Sequence, residues 1–254
     1  MTTWNVNSIR TRLDRTLRWL EKHAPDVLCL QELKAHDDVF PFEPLREAGY
    51  HAAVYGQKTY NGVAILSRCE ARDVELGFGD GVEDPQARAI SARIGDVRIL
   101  SLYVPNGAQV GSEKYAYKLA WMRRLCDYLE RRFDPSDRVV LCGDFNVAPD
   151  DRDVAQPEQW KESVLCHPEV RAALERILDW GLVDSFRLHH PEGGVYTWWD
   201  YRRLGFPRND GLRIDHILMS EPLAARCASA VIDRDERKGK QPSDHAPLYV
   251  TLED

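Results

Sequence analysis

Asp144 and Asn146 stand two residues apart where the apolar run Val139-Val140-Leu141-Cys142 closes on Gly143. That run is short and β-branched at its start, which reads as a buried strand. Side chains alternate along a strand, so Asp144 and Asn146 leave on one face and Phe145 on the other. A turn that is merely polar would explain the pair by itself, since Asp and Asn favour turns. The pattern recurs, however. Glu32 follows the apolar run Val27-Leu28-Cys29-Leu30, Asn5 sits in the alternating stretch Thr3 to Asn7, and Tyr103 precedes Pro105-Asn106-Gly107. Asp215 lies in Leu212 to Leu218, and Asp244-His245 lead into Leu248 to Leu252. If those strands share a sheet edge, their polar tips converge on one pocket. Carboxylates and amides without cysteine suit a hard cation with oxygen ligands, Mg²⁺ above zinc. One histidine amid many acids argues against a zinc protease. The chain has no G-x-S-x-G, no Walker phosphate loop and no dinucleotide glycine fingerprint.

The elements that must position these residues alternate between strands and helices. A helix capped by Ser8, with Ile9, Leu13, Leu17 and Leu20 as its apolar stripe, ends before Pro25. Tyr50 to Tyr55, Gly62 to Ser67 and Val97 to Val104 read as strands, and Glu75 to Asp84 as an acidic surface loop. A long helix from about Lys114 to Arg131 turns Leu119, Met122, Leu125 and Leu129 inward. Another helix begins at Pro168 and stops at Gly181. Val195 to Tyr201 is strongly aromatic. No linker, low-complexity tract or short repeat interrupts the chain, so one layered α/β domain over residues 1–254 is expected.

Composition adds limits. The 254 residues include 43% hydrophobic and 30% charged side chains, an ordinary globular mix. No apolar run is long enough for a bilayer, and no signal segment opens the chain, so a cytoplasmic protein without a membrane partner is expected. The six cysteines are scattered, which reads as reduced core thiols. A net charge of −7 counts against non-specific coating of nucleic acid. Basic residues nevertheless gather at Lys114, Lys118, Arg123 and Arg124, at Arg202, Arg203, Arg208 and Arg213, and at Arg234, Arg237, Lys238 and Lys240.

Taken in order, Trp4-Asn5-Val6-Asn7, Leu30-Gln31-Glu32, Gly143-Asp144-Phe145-Asn146, Arg213-Ile214-Asp215 and Ser243-Asp244-His245-Ala246-Pro247 resemble the exonuclease III enzymes of the endonuclease/exonuclease/phosphatase superfamily. Gly56-Gln57-Lys58 and Trp198-Trp199-Asp200-Tyr201 also look like that family, and the ordered set covers the whole chain. The resemblance implies a four-layered α/β sandwich, two packed mixed sheets flanked by helices. It implies a Mg²⁺-dependent nuclease, with Mn²⁺ able to substitute, that acts as a monomer on double-stranded DNA carrying abasic sites or blocked or recessed 3′ ends.

By the same resemblance, Asn5, Glu32, Asp144, Asn146 and Asp244 are expected around the metal. Asp144 would activate water, and Asn146 would orient that water or the phosphate. Asp215 would hold His245 towards the scissile phosphate, while Tyr103 would hydrogen-bond a phosphate oxygen. Lys58, Asn61, Lys114 and Trp198 are the expected DNA contacts. Either Asp144 or His245 could be the base, and one or two metals could bind. Each residue also has an ordinary structural role open to it. Asn5 or Asn7 could cap the first helix, Tyr103 could be a plain strand residue, and Trp198 and Trp199 could be core. Lys58, Asn61 and Lys114 could be plain surface. Leu165 and His167 are bulky where the family keeps its extrahelical nucleotide pocket. If they fill it, abasic incision is lost and 3′-exonuclease or 3′-phosphatase action remains. A phosphatase for inositol phosphates or lipids, and an inactive DNA-binding module, are the rival readings.

Overall fold

The computed structural model describes residues 1–253; Asp254 and the side chain of Arg203 lie outside that description. Its first strands are β1 (Thr2–Asn5), β2 (Val27–Gln31), β3 (His51–Tyr55), β4 (Val63–Ser67), β5 (Arg72–Leu76) and β6 (Ala89–Ile94). There follow β7 (Val97–Tyr103), β8 (Val139–Asp144), β9 (Leu182–Asp184), β10 (Asp215–Ser220), β11 (Cys227–Ile232) and β12 (Leu248–Leu252). The helices are α1 (Ile9–His23), α2 (Phe42–Glu47), α3 (Glu113–Arg132), α4 (Pro157–Trp160), α5 (Pro168–Asp179), α6 (Ser185–His189) and α7 (Glu221–Ala224).

The strands form two six-stranded sheets, ordered β11-β12-β1-β2-β4-β3 and β5-β6-β7-β8-β10-β9. Each sheet holds one parallel pair, β1 with β2 and β7 with β8. Parallel neighbours need a crossover, which α1 and α3 supply. Alternation then sorts the side chains into layers. Cys29, Ile65, Ile99, Val140, Cys142 and Ile217 pack between the sheets. Trp4, Leu28 and Leu30 turn outward with Ile9, Trp19 and Leu20 of α1. Leu100, Leu102 and Leu141 turn outward to Met122, Leu125 and Ile177 of α3 and α5. The molecule is a four-layered α/β sandwich, as expected. Among the described residues, no helix is long and apolar enough to cross a membrane.

This topology decides where polar strand ends fall. Asn5, Gln31, Tyr103 and Asp144 are the last residues of β1, β2, β7 and β8. β10 runs antiparallel to β8 and opens with Asp215 directly opposite Asp144. β12 runs antiparallel to β1, so the segment entering it, with Asp244 and His245, meets the same rim. Gly143 is required just before that rim. A Cβ there would lie 2.1 Å from the Leu102 carbonyl oxygen.

Several expectations need correction. The strand anticipated from Leu212 begins only at Asp215, so the carboxylate heads the strand instead of interrupting it. Residues 212–214 are held instead by bridges from Leu212 to Val154 and Trp198. β5 and β11 are edge strands with mostly exposed or half-exposed residues, and β9 has three residues, so none carries a clear apolar pattern. β6 is poor in strand formers and is made by pairing along β7. Past Leu76, where β5 ends, the acidic stretch is a surface loop as expected, and it is pinned: Arg124 donates to Asp80 at 2.7 Å and to Asp84 at 2.9 Å. Lys118, Arg213 and Arg237, expected in basic surface clusters, are buried.

Candidate active site

At the shared rim the two sheets meet through Asn5. Its amide nitrogen donates to Glu32 at 2.9 Å and to Asp144 at 3.0 Å, while its oxygen accepts the Asn7 backbone N–H at 3.0 Å. Asn5, expected as a metal ligand, therefore presents its nitrogen and holds the two carboxylates together. Glu32, Asp144 and His245 each offer one ligand atom, all within 4.8 Å of one another. His245 Nδ1 lies 2.8 Å from Asp215, and its Nε2 lies 3.7 Å from Asp144. Glu32 and Asn146 both leave their strands in left-handed backbone, with φ of 52° and 50°. That conformation costs a non-glycine residue about 1–2 kcal/mol, and such strain gathers where a side chain must be aimed.

The donor set fits a divalent cation. Two carboxylates with a buried approach and only an amide N–H between them suit a hard ion that takes oxygen ligands. Burial pushes the Asp144 carboxyl up to about 7, against the pull of His245. Burial would lower His245, but Asp215 and then Asp144 overcome it and raise the imidazole to about 10. At neutral pH His245 is thus a cation and a donor, while Asp144 sits near the pH at which it can take a proton. Tyr103 is raised well above a normal phenol by burial, then by Glu32 and Asp144. The Arg88 guanidinium stacks over its ring at 4.7 Å.

The other expected residues divide. Asp244 lies beside the cluster with its oxygens taken by Asn7 at 2.9 Å and the Trp198 indole at 3.0 Å. Asn146 has its carboxamide tied to Val104 O and to the Asn106 amide, each at 3.0 Å. Trp199 is fully buried, whereas Trp198 borders a cleft of about 810 Å³ beside the cluster. Trp160, Val164, Leu165 and Ile214 form the apolar wall of that cleft. Leu165 lines it, as anticipated, but His167 does not; its ring turns to the Tyr115 hydroxyl at 2.8 Å. Of the two bulky residues, only Leu165 reaches the cleft. A second cleft of about 540 Å³, sharing Tyr103 and Asn106, is bordered by Asn61 and Lys114. Asn61 itself is buried and donates to Gln57 at 3.0 Å. Lys58 is exposed on the same loop, next to Tyr60, which is 70% exposed.

A model of the endonuclease/exonuclease/phosphatase family matches residues 2–245. The chain belongs to that family. Exodeoxyribonuclease III of Haemophilus influenzae is 38% identical over 98% of this chain and 97% of its own. Among solved structures, an AP endonuclease from Archaeoglobus fulgidus superposes with a TM-score of 0.97 at 41% identity, covering 100% of this chain and 98% of that one. The 3′-5′ exonuclease NExo of Neisseria meningitidis gives 0.95 at 44% identity, over 99% and 98% of the two chains.

The tertiary structure brings to the rim several further residues that no sequence pattern marks. Lys34 pairs with Glu32 at 2.9 Å and donates to Asn7 at 2.5 Å. Trp160 stands edge-on to Trp198, ring centres 5.9 Å apart. Asn106, read only as part of a stop signal, orients Asn146. Its position right after a buried strand was the available signal.

Proposed function

We propose that this protein is a metal-dependent DNA-repair nuclease of the exodeoxyribonuclease III type. It hydrolyses phosphodiester bonds of duplex DNA, removing 3′ nucleotides and 3′ phosphates and also incising at abasic sites. The observation that carries this reading is the meeting of Glu32, Asp144 and the Asp215–His245 pair beside an open, partly apolar cleft. The relatives support the substrate. One similar structure is an AP endonuclease, and another is a 3′ phosphatase from Neisseria bound to a product DNA hairpin, at 43% identity.

Glu32 and Asp144 would hold the ion, with Asn5 fixing their spacing. Mg²⁺ is the ion that suits them, and when bound it neutralises charge growing on the phosphate. Asp144 accepts the proton of the attacking water. His245, kept protonated by Asp215, donates to the phosphate oxygens, and Tyr103 offers them its phenolic hydrogen. Asn146 orients the water or the phosphate from the other side. Asp244 holds Trp198 and Asn7 in place from just outside the cluster. The apolar wall around Leu165 and Trp198 suits a deoxyribose lacking its base, and because His167 turns aside the cleft has room for it. Lys58, Asn61 and Lys114 border the path of the duplex.

Incubation with 3′-recessed, 3′-phosphorylated and abasic duplexes, each with Mg²⁺ or EDTA, tests the whole reading. Cleavage of all three in Mg²⁺ and none in EDTA is expected. Asp144→Asn should lower cleavage at least about a thousandfold and leave DNA binding nearly intact. Cleavage that survives EDTA would refute the metal, and an uncut abasic duplex would refute the endonuclease.

A further inference from the structure

Lys118 lies on α3, outside the rim, yet it is fully buried and its ammonium points at the site. It donates to the backbone carbonyls of Asn146 at 2.6 Å, Val164 at 2.7 Å and Asn106 at 3.2 Å. Burial lowers its pKa to about 7, against the pull of Asp144, and in its charged form its three N–H donors match the three carbonyls. Among the described residues no other hydrogen bond reaches those carbonyls. The three belong to different segments: the turn after β7, the turn after β8 and the stretch before α5. All three residues line the large cleft. The stem is equally fixed, since a Cβ on Gly107 would stand 3.1 Å from Lys118 Cδ. Asn106, gripped through its carbonyl, passes the constraint on by donating its side-chain amide to Asn146.

We infer that Lys118 is a positioning residue for hydrolysis, holding Asn146 both directly and through Asn106 so that its carboxamide stays aimed at the reacting phosphate. The inference rests on the nuclease reading above. Misplacing a polar group by about 1 Å can cost a hundredfold in rate.

Lys118→Met keeps the stem and removes the donors. Single-turnover cleavage of a 3′-recessed duplex should fall about a hundredfold, with KM and Mn²⁺ affinity by calorimetry within about threefold. A double-mutant cycle separates positioning from simple destabilisation. With Asn146→Ala already in place, adding Lys118→Met should cost less than about threefold more. Lys118→Gln retains two N–H donors, so it should lose about tenfold and show the same coupling; it serves if the methionine variant does not fold. Wild-type cleavage in either variant, or losses that multiply in full with Asn146→Ala, would overturn the inference. An inactive wild-type protein would instead overturn the nuclease reading itself.

Discussion

His245 and Asp144 show how two ordinary side chains are divided into donor and acceptor by their surroundings. His245 loses solvation on burial, but the Asp215 and Asp144 carboxylates more than restore its proton, up to about 10. Its folded value exceeds its unfolded one, so its stabilising contribution is complete below about 6.5 and is lost as pH rises through about 10. Activity should follow that loss, with kcat/KM declining on the alkaline side. Asp215→Asn removes the principal charge that holds the proton. It should lower kcat about a hundredfold or more and shift the alkaline limb of the pH profile downward. A limb that stays in place would show that His245 is not the group titrating. These roles were half legible in the sequence. Residue type and strand-end position marked Asp215 and His245, but only their 2.8 Å contact assigns the partnership.

At the scale of elements, β8 carries most of the catalytic placement and leaves little freedom. Its register against β7 puts Gly143 where a side chain would strike the Leu102 carbonyl. Gly143→Ala should destabilise the protein by about 1–3 kcal/mol or more, visible as a lower urea midpoint with unchanged slope. α3 was recognisable from its apolar spacing, and its observed bounds, Glu113–Arg132, lie within one residue of the expected ones. Its function was not recognisable. A lysine amid an amphipathic pattern reads as solvent-facing, and nothing local reveals that three loops will close over it. The edge strands β5, β9 and β11 were missed for a related reason. A half-exposed strand needs no apolar repeat, because its partner strand supplies the pairing.

Across the whole molecule, a buried ionic network anchors the segment that leads into Asp215. Arg213 pairs with Asp153 at 2.6 Å and Asp184 at 2.8 Å, and Arg187 joins the same Asp153. Arg213→Met leaves those acids with too little counter-charge and should cost about 3–5 kcal/mol by chemical unfolding. The site's own charge balance should appear in the response to metal. The Asp144 carboxyl is raised from 3.8 to about 7, so in metal-free protein its stabilising contribution is complete below about 3.8 and is lost as pH rises through about 7. A bound cation competes with that proton. The Mg²⁺-induced rise in Tm should therefore grow from pH 5 to pH 8, reaching about 4 °C at about ten times Kd. A shift independent of pH would place the ion away from Asp144.

Sequence alone determined the alternation of strands and helices, the family, and the acids and amides that end the buried strands. It could do so because apolar periodicity and strand-end polarity are local properties of the chain. Tertiary structure decided the rest: that Asn5 turns its nitrogen to two carboxylates, that His167 turns from the cleft to Tyr115, that Lys118 closes three loops from behind. Those outcomes depend on which backbone groups from distant segments arrive together, and hydrogen-bond partners across a sheet packing are written in no single stretch of residues.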